Sequence, residues 1–383
     1  MTKTNHAIET IAAQACGAKD ETTGAIVPAI HLSTTFERDP DNAYSRGFLY
    51  ARPDNVTVRQ AEAVITALER GAATLLFGSG MAAATAVFIA LPSENGRRGH
   101  VIAPAVMYWA LKKWLVEEGP GLGLTASFVD TRDVAAVAAA IRPGETRLVW
   151  LETPGNPTWD VSDIAAVAAV AHKAGTLVAV DSTVATPVLT QPLSLGADIV
   201  MHAATKYLNG HSDVVAGSLT FARADSVFER AAATRKGYGS ILGPFEAALL
   251  MRGMRTLPVR VRAQSASALA IARHFSRHAK VAHVLYPGLE IDPGYAVSRR
   301  QMAGGFGGML SIRVAGGEAA AIATAARVKV WIRATSLGGV ESLIEHRASI
   351  EGPASACPND LLRLSVGLEH VDDLIGDLDQ ALG

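Results

Sequence analysis

The sequence predicts an α/β protein: a mostly parallel, doubly wound sheet over roughly residues 51–245, followed by a smaller α+β domain over roughly 246–383. Three observations carry the prediction. From Asn55 onward the hydrophobic pattern alternates between helical faces and short apolar runs of strand length. Strands separated by helices need crossover connections, hence parallel pairing with helices on both faces. Beyond Pro244 the rhythm changes to one long helical stretch and then a set of strands with helices between them. Residues 1–50 have weak periodicity and read as an N-terminal arm.

The elements follow in order. Ala61, Val64, Ile65 and Leu68 fall at i, i+3, i+4 and i+7, one helical face. Thr57 with Gln60 fits a capping box at its start, and Gly71 closes it. Thr74 to Phe77 is a short apolar run and predicts a buried strand. Met81 to Leu91 predicts a helix, His100 to Ala103 a strand, and Leu111 to Val116 a helix. Thr125 to Val129 is strand-like, and Asp130 or Thr131 can cap the helix that ends before Pro143-Gly144. Arg147 to Leu151 predicts a strand, Ser162 to Ala174 a helix stopped by Gly175, and Leu177 to Val180 and Asp198 to His202 two more strands. In the second part Val259 to His278 is helical, with strands expected at Gly308 to Val314, Val328 to Ile332 and Leu361 to Val366.

Composition bounds the function. The chain has 383 residues, of which 19% are charged, with a formal net charge of −1. No basic excess or Lys/Arg run is present, which argues against nucleic acid and against a membrane surface. Two cysteines, Cys16 and Cys357, make neither a disulfide framework nor a four-cysteine zinc site, so a reducing cytoplasm is expected. The opening MTKTNHAIETIAAQ lacks an apolar core of signal type. Ile164 to Val180, the longest apolar stretch, is interrupted by His172, Lys173 and Gly175 and is too short to span a bilayer.

Open parallel sheets gather ligands at the carboxyl ends of their strands, and three groups of residues fall there. Gly78-Ser79-Gly80-Met81 lies between a strand and a helix, where small residues let an anion approach the first helical N–H groups. A phosphate fits this turn. A ligand-free turn and a relaxed dinucleotide fingerprint, Gly78-x-Gly80-x-x-Ala83, fit it also. Asp181 follows the apolar run LVAV, where it can either pair with a protonated ring nitrogen or close the turn Asp181-Ser182-Thr183. Thr205-Lys206 follows the strand DIVMH, and a lysine partly desolvated there has a nucleophilic amine. Alone, it reads as an exposed loop lysine. Phosphate turn, acid and lysine in that order, each at a strand end, describe a site for pyridoxal 5'-phosphate (PLP). His202, His211 and Asp213 lack metal-ligand spacing, so no metal site is expected. His211-Ser212-Asp213 are consecutive and read as a structural loop, since hydrolase triads converge from separate segments.

The motifs TGAIVPAIHLSTTF, Tyr50-Ala51-Arg52, FGSGMAA, ETPGNPT, VDSTVATP, ATKYLNGHSD, GMRTL, SLGGVESL and LLRLSVGLEHVDDLIGDL run nearly end to end. With them the chain resembles the cystathionine γ-synthase / cystathionine β-lyase group of Cys/Met-metabolism enzymes, of PLP fold type I (aspartate-aminotransferase-like). The resemblance implies that Lys206 bonds the cofactor and later shuttles protons, and that Asp181, with Thr183 beside it, holds the ring nitrogen. It implies Gly80, Met81 and Thr205 as phosphate ligands, joined by Tyr50 and Arg52 of a neighbouring subunit, and Tyr108 stacked on the ring. Arg363 is implied as the clamp for the substrate carboxylate, aided by Ser336, with Thr335 where several γ-acting members carry an acid that reads the far end of the substrate. A homodimer is needed for that site, and the family is usually a dimer of dimers.

The chain also departs from the family pattern. Tyr108-Trp109-Ala110-Leu111 stands for Tyr-Gly-Gly-Thr, and Ala203 for a serine. Arg333 stands where an apolar residue is usual, and Ile350-Glu351-Gly352 for Met-Thr-His. The reaction implied is elimination of the β- or γ-substituent of cystathionine or a similar sulfur- or oxygen-substituted amino acid. The alternative is γ-replacement on an activated homoserine ester. An NAD(P)-dependent oxidoreductase and a non-catalytic scaffold are the rivals of other classes.

Overall fold

The computed structural model describes residues 6–93, 95–352 and 357–383, so part of the opening stretch read for a signal segment lies outside the described residues. The chain forms two compact units, one of Met1–Pro92 with Asp198–Pro258 and one of Ser93–Ala197 with Val259–Gly383.

In the first unit, the helix Val56–Leu68 buries Ala61, Val64, Ile65 and Leu68, the face that the spacing predicts. Its cap is Asn55. The Asn55 side chain accepts the N–H groups of Thr57 and Val58 at 2.9 and 3.4 Å. Thr57 sits inside the helix, and its hydroxyl accepts the N–H of His31 at 3.0 Å, tying down the preceding segment. Asn and Thr both cap well, so composition alone does not separate positions two residues apart. The strand Ala73–Phe77 pairs antiparallel with Gly217–Phe221, which pairs antiparallel with Ile199–His202. Gly217–Phe221 is hidden from hydrophobic periodicity because Ser218 and Thr220 are fully buried. Thr220 is satisfied by the Thr74 hydroxyl at 2.9 Å.

In the second unit, four strands run parallel, in the order Leu177–Asp181, Thr146–Glu152, Gly99–Pro104, Leu124–Val129. Their apolar faces pack on the helices Val134–Ala140 and Ile164–Lys173 through Val137, Ile164 and Val167. The cap of Val134–Ala140 is Asp133, whose side chain accepts the N–H of Ala135 at 2.8 Å. Asp130 is engaged by Arg132 instead, and the Thr131 hydroxyl pairs with that of Ser162 at 2.8 Å.

This unit also holds a five-stranded sheet in the order Ile332–Arg333, Leu343–His346, Leu361–Ser365, Met309–Val314, Val281–Leu285. Leu362 and Leu364 point into a core with Ile312, Ile344, Leu374 and Leu378. By strand alternation Arg363 and Ser365 face the other side. The strand expected over Val328 to Ile332 shrinks to Ile332–Arg333. Upstream of it the N–H groups of Lys329, Val330 and Trp331 all donate to the Asp377 carboxylate, at 2.6–2.9 Å, in place of a strand neighbour. Among the described residues, no helix is long and apolar enough to cross a membrane.

Candidate active site

The first unit carries the turn, the lysine and the arm residues. Helix Gly80–Ile89 begins directly after the strand Ala73–Phe77, with the Ser79 hydroxyl accepting the N–H of Ala82 at 3.1 Å. The first N–H groups of any helix have no intrahelical partner, which leaves Gly80 and Met81 as donors for an anion. Glycine is required at 80: a Cβ there would lie 2.8 Å from the Ala203 Cβ. Ala203, where the resembled family has serine, thus forms the wall against which the turn packs. Thr205 is fixed by its hydroxyl, which accepts the N–H of Ala216 at 2.9 Å and donates to the Ala216 carbonyl at 3.1 Å. Lys206 follows in the same turn, half-buried beside the buried Tyr207 and Leu208, with its N–H on the Ala203 carbonyl at 2.9 Å.

Just ahead of this turn, His202 is fully buried against Glu69 at 2.5 Å. His211 bonds the Asn209 carbonyl through Nδ1 at 2.8 Å, and Asp213 accepts the Asn209 amide at 2.8 Å, a local loop network. Tyr50 is 44% exposed, and the Arg52 guanidinium lies over its ring, 5.7 Å from the centroid. Arg52 also donates to the Lys236 carbonyl at 3.2 Å.

The second unit carries the remaining residues, and hydrogen bonds join Tyr108, Glu152, Asn156, Arg363 and Ser336 in one run. Asp181 ends the strand Leu177–Asp181. Its Oδ1 accepts both the N–H and the hydroxyl of Thr183, at 3.0 and 2.5 Å, which orients the carboxylate. On the adjacent strand Glu152 is in register with Asp181. Glu152 accepts the Tyr108 N–H through Oε2 at 2.7 Å and the Asn156 N–H through Oε1 at 2.9 Å. Tyr108 therefore stands at a fixed backbone position with its side chain 40% exposed, and Trp109 lies beside it, ring centroids 6.2 Å apart. Burial first and the Asp181 charge second push the Glu152 carboxyl up to about 8.

Asn156 connects this group to Arg363. Arg363 Nη1 donates to Asn156 Oδ1 at 3.3 Å, while Nη2 donates to the Ser336 carbonyl at 2.8 Å and to Glu345 at 2.6 Å. Ser336 thus meets Arg363 through its backbone oxygen, in a left-handed conformation at φ 85°. Thr335 is exposed beside it, and Arg333 is exposed on the two-residue strand. Ser311 and Glu345 are the two cross-strand neighbours of Arg363. The Ser311 hydroxyl accepts from the Trp159 indole at 2.9 Å and donates to the Pro157 carbonyl at 2.8 Å, pinning the Glu152–Trp159 loop to this sheet. Burial first and the Arg347 charge second pull the Arg363 guanidinium down to about 10, so it stays charged at neutral pH. Glu152, Asn156, Glu345 and Arg347 are the residues that motif reading missed as actors. The quoted ETPGNPT contains the first two, and SLGGVESL ends at Leu343, shortly before the others.

The donor set suits one kind of guest: helix-end N–H groups and a hydroxyl for a phosphate, an amine for an aldehyde, and a carboxylate for a ring nitrogen. These are the donor types that PLP calls for on an α/β frame, the phosphate and aldehyde partners lying in the first unit and the carboxylate in the second. The comparisons agree. The chain matches the model of the Cys/Met metabolism PLP-dependent enzyme family over residues 9–383 and belongs to that family. It is 43% identical over 369 residues to a cystathionine gamma-synthase of Mycobacterium tuberculosis, covering 95% of this chain and 94% of that one. It is 38% identical over 371 residues to a cystathionine gamma-lyase of Bacillus subtilis, covering 95% and 96%. The crystal structure of metB from Corynebacterium glutamicum superposes with a TM-score of 0.95 at 37% identity, over 100% of this chain and 99% of that one. The fold is therefore the PLP fold type I of these enzymes, and the chain is a PLP-dependent enzyme of the lyase and synthase class.

Proposed function

We propose that the enzyme cleaves the Cγ–S bond of cystathionine or a closely similar amino acid, taking up water and releasing ammonia, a 2-oxo acid and a thiol. The observation that carries this reading is Arg363: a buried guanidinium backed by Asn156 and the Ser336 carbonyl, the arrangement suited to a bidentate hold on an amino-acid carboxylate. The γ position, rather than β, is supported by the names of the relatives above.

When bound, PLP supplies an electron-accepting ring that makes the substrate Cα–H acidic. In this reading Lys206 holds the cofactor and its Nζ then takes the Cα proton. Asp181, oriented by Thr183, keeps the ring nitrogen protonated. Gly80, Met81 and Thr205 receive the phosphate, with Tyr50 and Arg52 contributed by a second copy of the chain in an active dimer, itself paired into a tetramer. Tyr108 stacks on the ring, and Thr335 borders the far end of the substrate. A cytoplasmic setting fits two free cysteines. A second reading, γ-replacement on an activated homoserine ester, is favoured by the mycobacterial synthase being 43% identical.

The test is the visible spectrum of purified protein with PLP, followed by incubation with L-cystathionine. A yellow band absent from Lys206→Ala, with 2-oxobutyrate and cysteine as products, is expected. Pyruvate and homocysteine would move the reaction to Cβ. A band with cystathionine untouched, but a homoserine ester consumed only when a thiol is added, would establish the replacement reading. No band even with added PLP would overturn the proposal.

A further inference from the structure

Behind Arg363 lies a buried relay of charge. Glu345 Oε2 accepts from Arg363 Nη2 at 2.6 Å and from Arg347 Nη1 at 2.7 Å. Arg347 in turn holds Glu351 Oε1, through Nη2 at 2.8 Å and Nε at 3.2 Å. The side chains of all four are less than one-tenth exposed. Two positive and two negative groups thus alternate in a row, neutral as a set.

The order matters. A lone Glu345 beside Arg363 would neutralise the guanidinium and weaken its pull on an incoming carboxylate. Arg347 competes for that same Glu345 oxygen, and Glu351 balances Arg347 from the far side. Fields between buried charges are screened far less than at a surface. Arg347 and Glu351 thus stand one and two partners behind the Arg363–Glu345 pair, where a change of charge reaches Arg363 through Glu345.

We infer that Arg347 is a positioning residue that sets the affinity for the substrate carboxylate by sharing Glu345 with Arg363, and that Glu351 is its counterweight. The inference rests on Arg363 being the carboxylate clamp. It makes a signed prediction that packing alone does not. Arg347→Met leaves the row with a net negative charge and weakens carboxylate binding. Glu351→Gln leaves it net positive and strengthens binding. The double variant is neutral again and falls between Arg347→Met and the parent, binding more weakly than the parent because Glu345 is left alone beside Arg363.

The experiment measures KM and kcat for L-cystathionine in the PLP-loaded enzyme. Alongside, calorimetry gives the Kd of L-norleucine, which has no leaving group, and of its amide, which has no carboxylate. Arg347→Met is expected to raise KM and the norleucine Kd roughly tenfold, with kcat changed much less. Glu351→Gln is expected to lower both roughly threefold, and neither variant should move the amide Kd. Shifts of the same sign in both single variants, or equal shifts for norleucine and its amide, would overturn the inference. Should Arg347→Met not fold, because it strands two buried carboxylates, Glu351→Gln and the double variant decide by sign alone. Arg363→Lys separates the two levels: if it leaves the norleucine Kd unchanged, the clamp reading itself fails. If it weakens norleucine while the signed pattern is absent, only the Arg347 inference fails.

Discussion

Glu152 gives both carboxylate oxygens to backbone N–H groups, of Tyr108 on one side and Asn156 on the other. One side chain therefore fixes the backbone of Tyr108 and, through Asn156, bears on the guanidinium of Arg363. Its electrostatic situation is awkward, since it is buried in register with Asp181, and its carboxyl rises to about 8. The sign follows from linkage. A folded pKa above the unfolded value means that the folded state binds more protons between the two. Stability from this group is then greatest below about 4.3 and declines as pH rises toward 8. Glutamine at this position cannot ionise, so Glu152→Gln lacks that decline, while its amide nitrogen is set against one of the two N–H groups that the carboxyl oxygens accept. The stability deficit of Glu152→Gln against the parent is expected to narrow from pH 5.5 to pH 8 in urea denaturation, about 1 kcal/mol or more across the range. A deficit that is constant or widens would mean that Glu152 is ionised throughout.

At the scale of elements, the segment before Ile332 shows how one carboxylate replaces a strand partner. Asp377 lies on the C-terminal helix Val371–Leu382, and it collects the N–H groups of Lys329, Val330 and Trp331. Burial raises its pKa, but those three donors outweigh burial and hold it below the usual carboxylate range. Asp377→Asn is expected to destabilise the protein by about 2 kcal/mol, read as a lower urea midpoint at pH 7, because charge-assisted bonds are replaced by an amide with one acceptor oxygen. The gap should close as pH falls through the depressed folded pKa, since protonated Asp377 loses the same advantage.

This segment also marks the limit of what the chain discloses by itself. VKVWI has the composition of a strand, and its fate is decided by an aspartate some fifty positions later, a contact that periodicity does not contain. Gly217–Phe221 fails the same way in reverse: a strand whose buried Ser218 and Thr220 look exposed by residue type. The long apolar strands and the helix over Ala61 to Leu68 were legible because burial there follows directly from hydrophobic spacing. Among the candidate site residues, Gly80, Asp181 and Lys206 stood out in the sequence because each ends or follows a strand. Asn156, Glu345 and Arg347 did not, because their meaning lies in which neighbour they touch across the sheet.

For the molecule as a whole, the cofactor is a term in stability as well as in catalysis. A group that binds the folded chain and not the unfolded one stabilises by mass action, by ~2.7 kcal/mol at a hundredfold excess over its Kd. The residues read as its ligands come from distant parts of the sequence, from Gly80 and Met81 through Asp181 to Thr205 and Lys206, so an unfolded chain has no preformed site to compete. The melting temperature of cofactor-depleted protein is therefore expected to rise with PLP concentration until the site saturates. Lys206→Ala should retain part of this rise, through the phosphate donors and Asp181, and lose the part due to the covalent bond. Asp181→Ala should lose a share while leaving the yellow colour reachable at higher PLP. Differential scanning fluorimetry over a PLP series in the three proteins makes the comparison. If all three rise equally, PLP acts at surface lysines and the assignment of Lys206 fails. If the parent and Asp181→Ala rise but Lys206→Ala does not, the bond to Lys206 dominates binding, and the helix-end phosphate site contributes little without it.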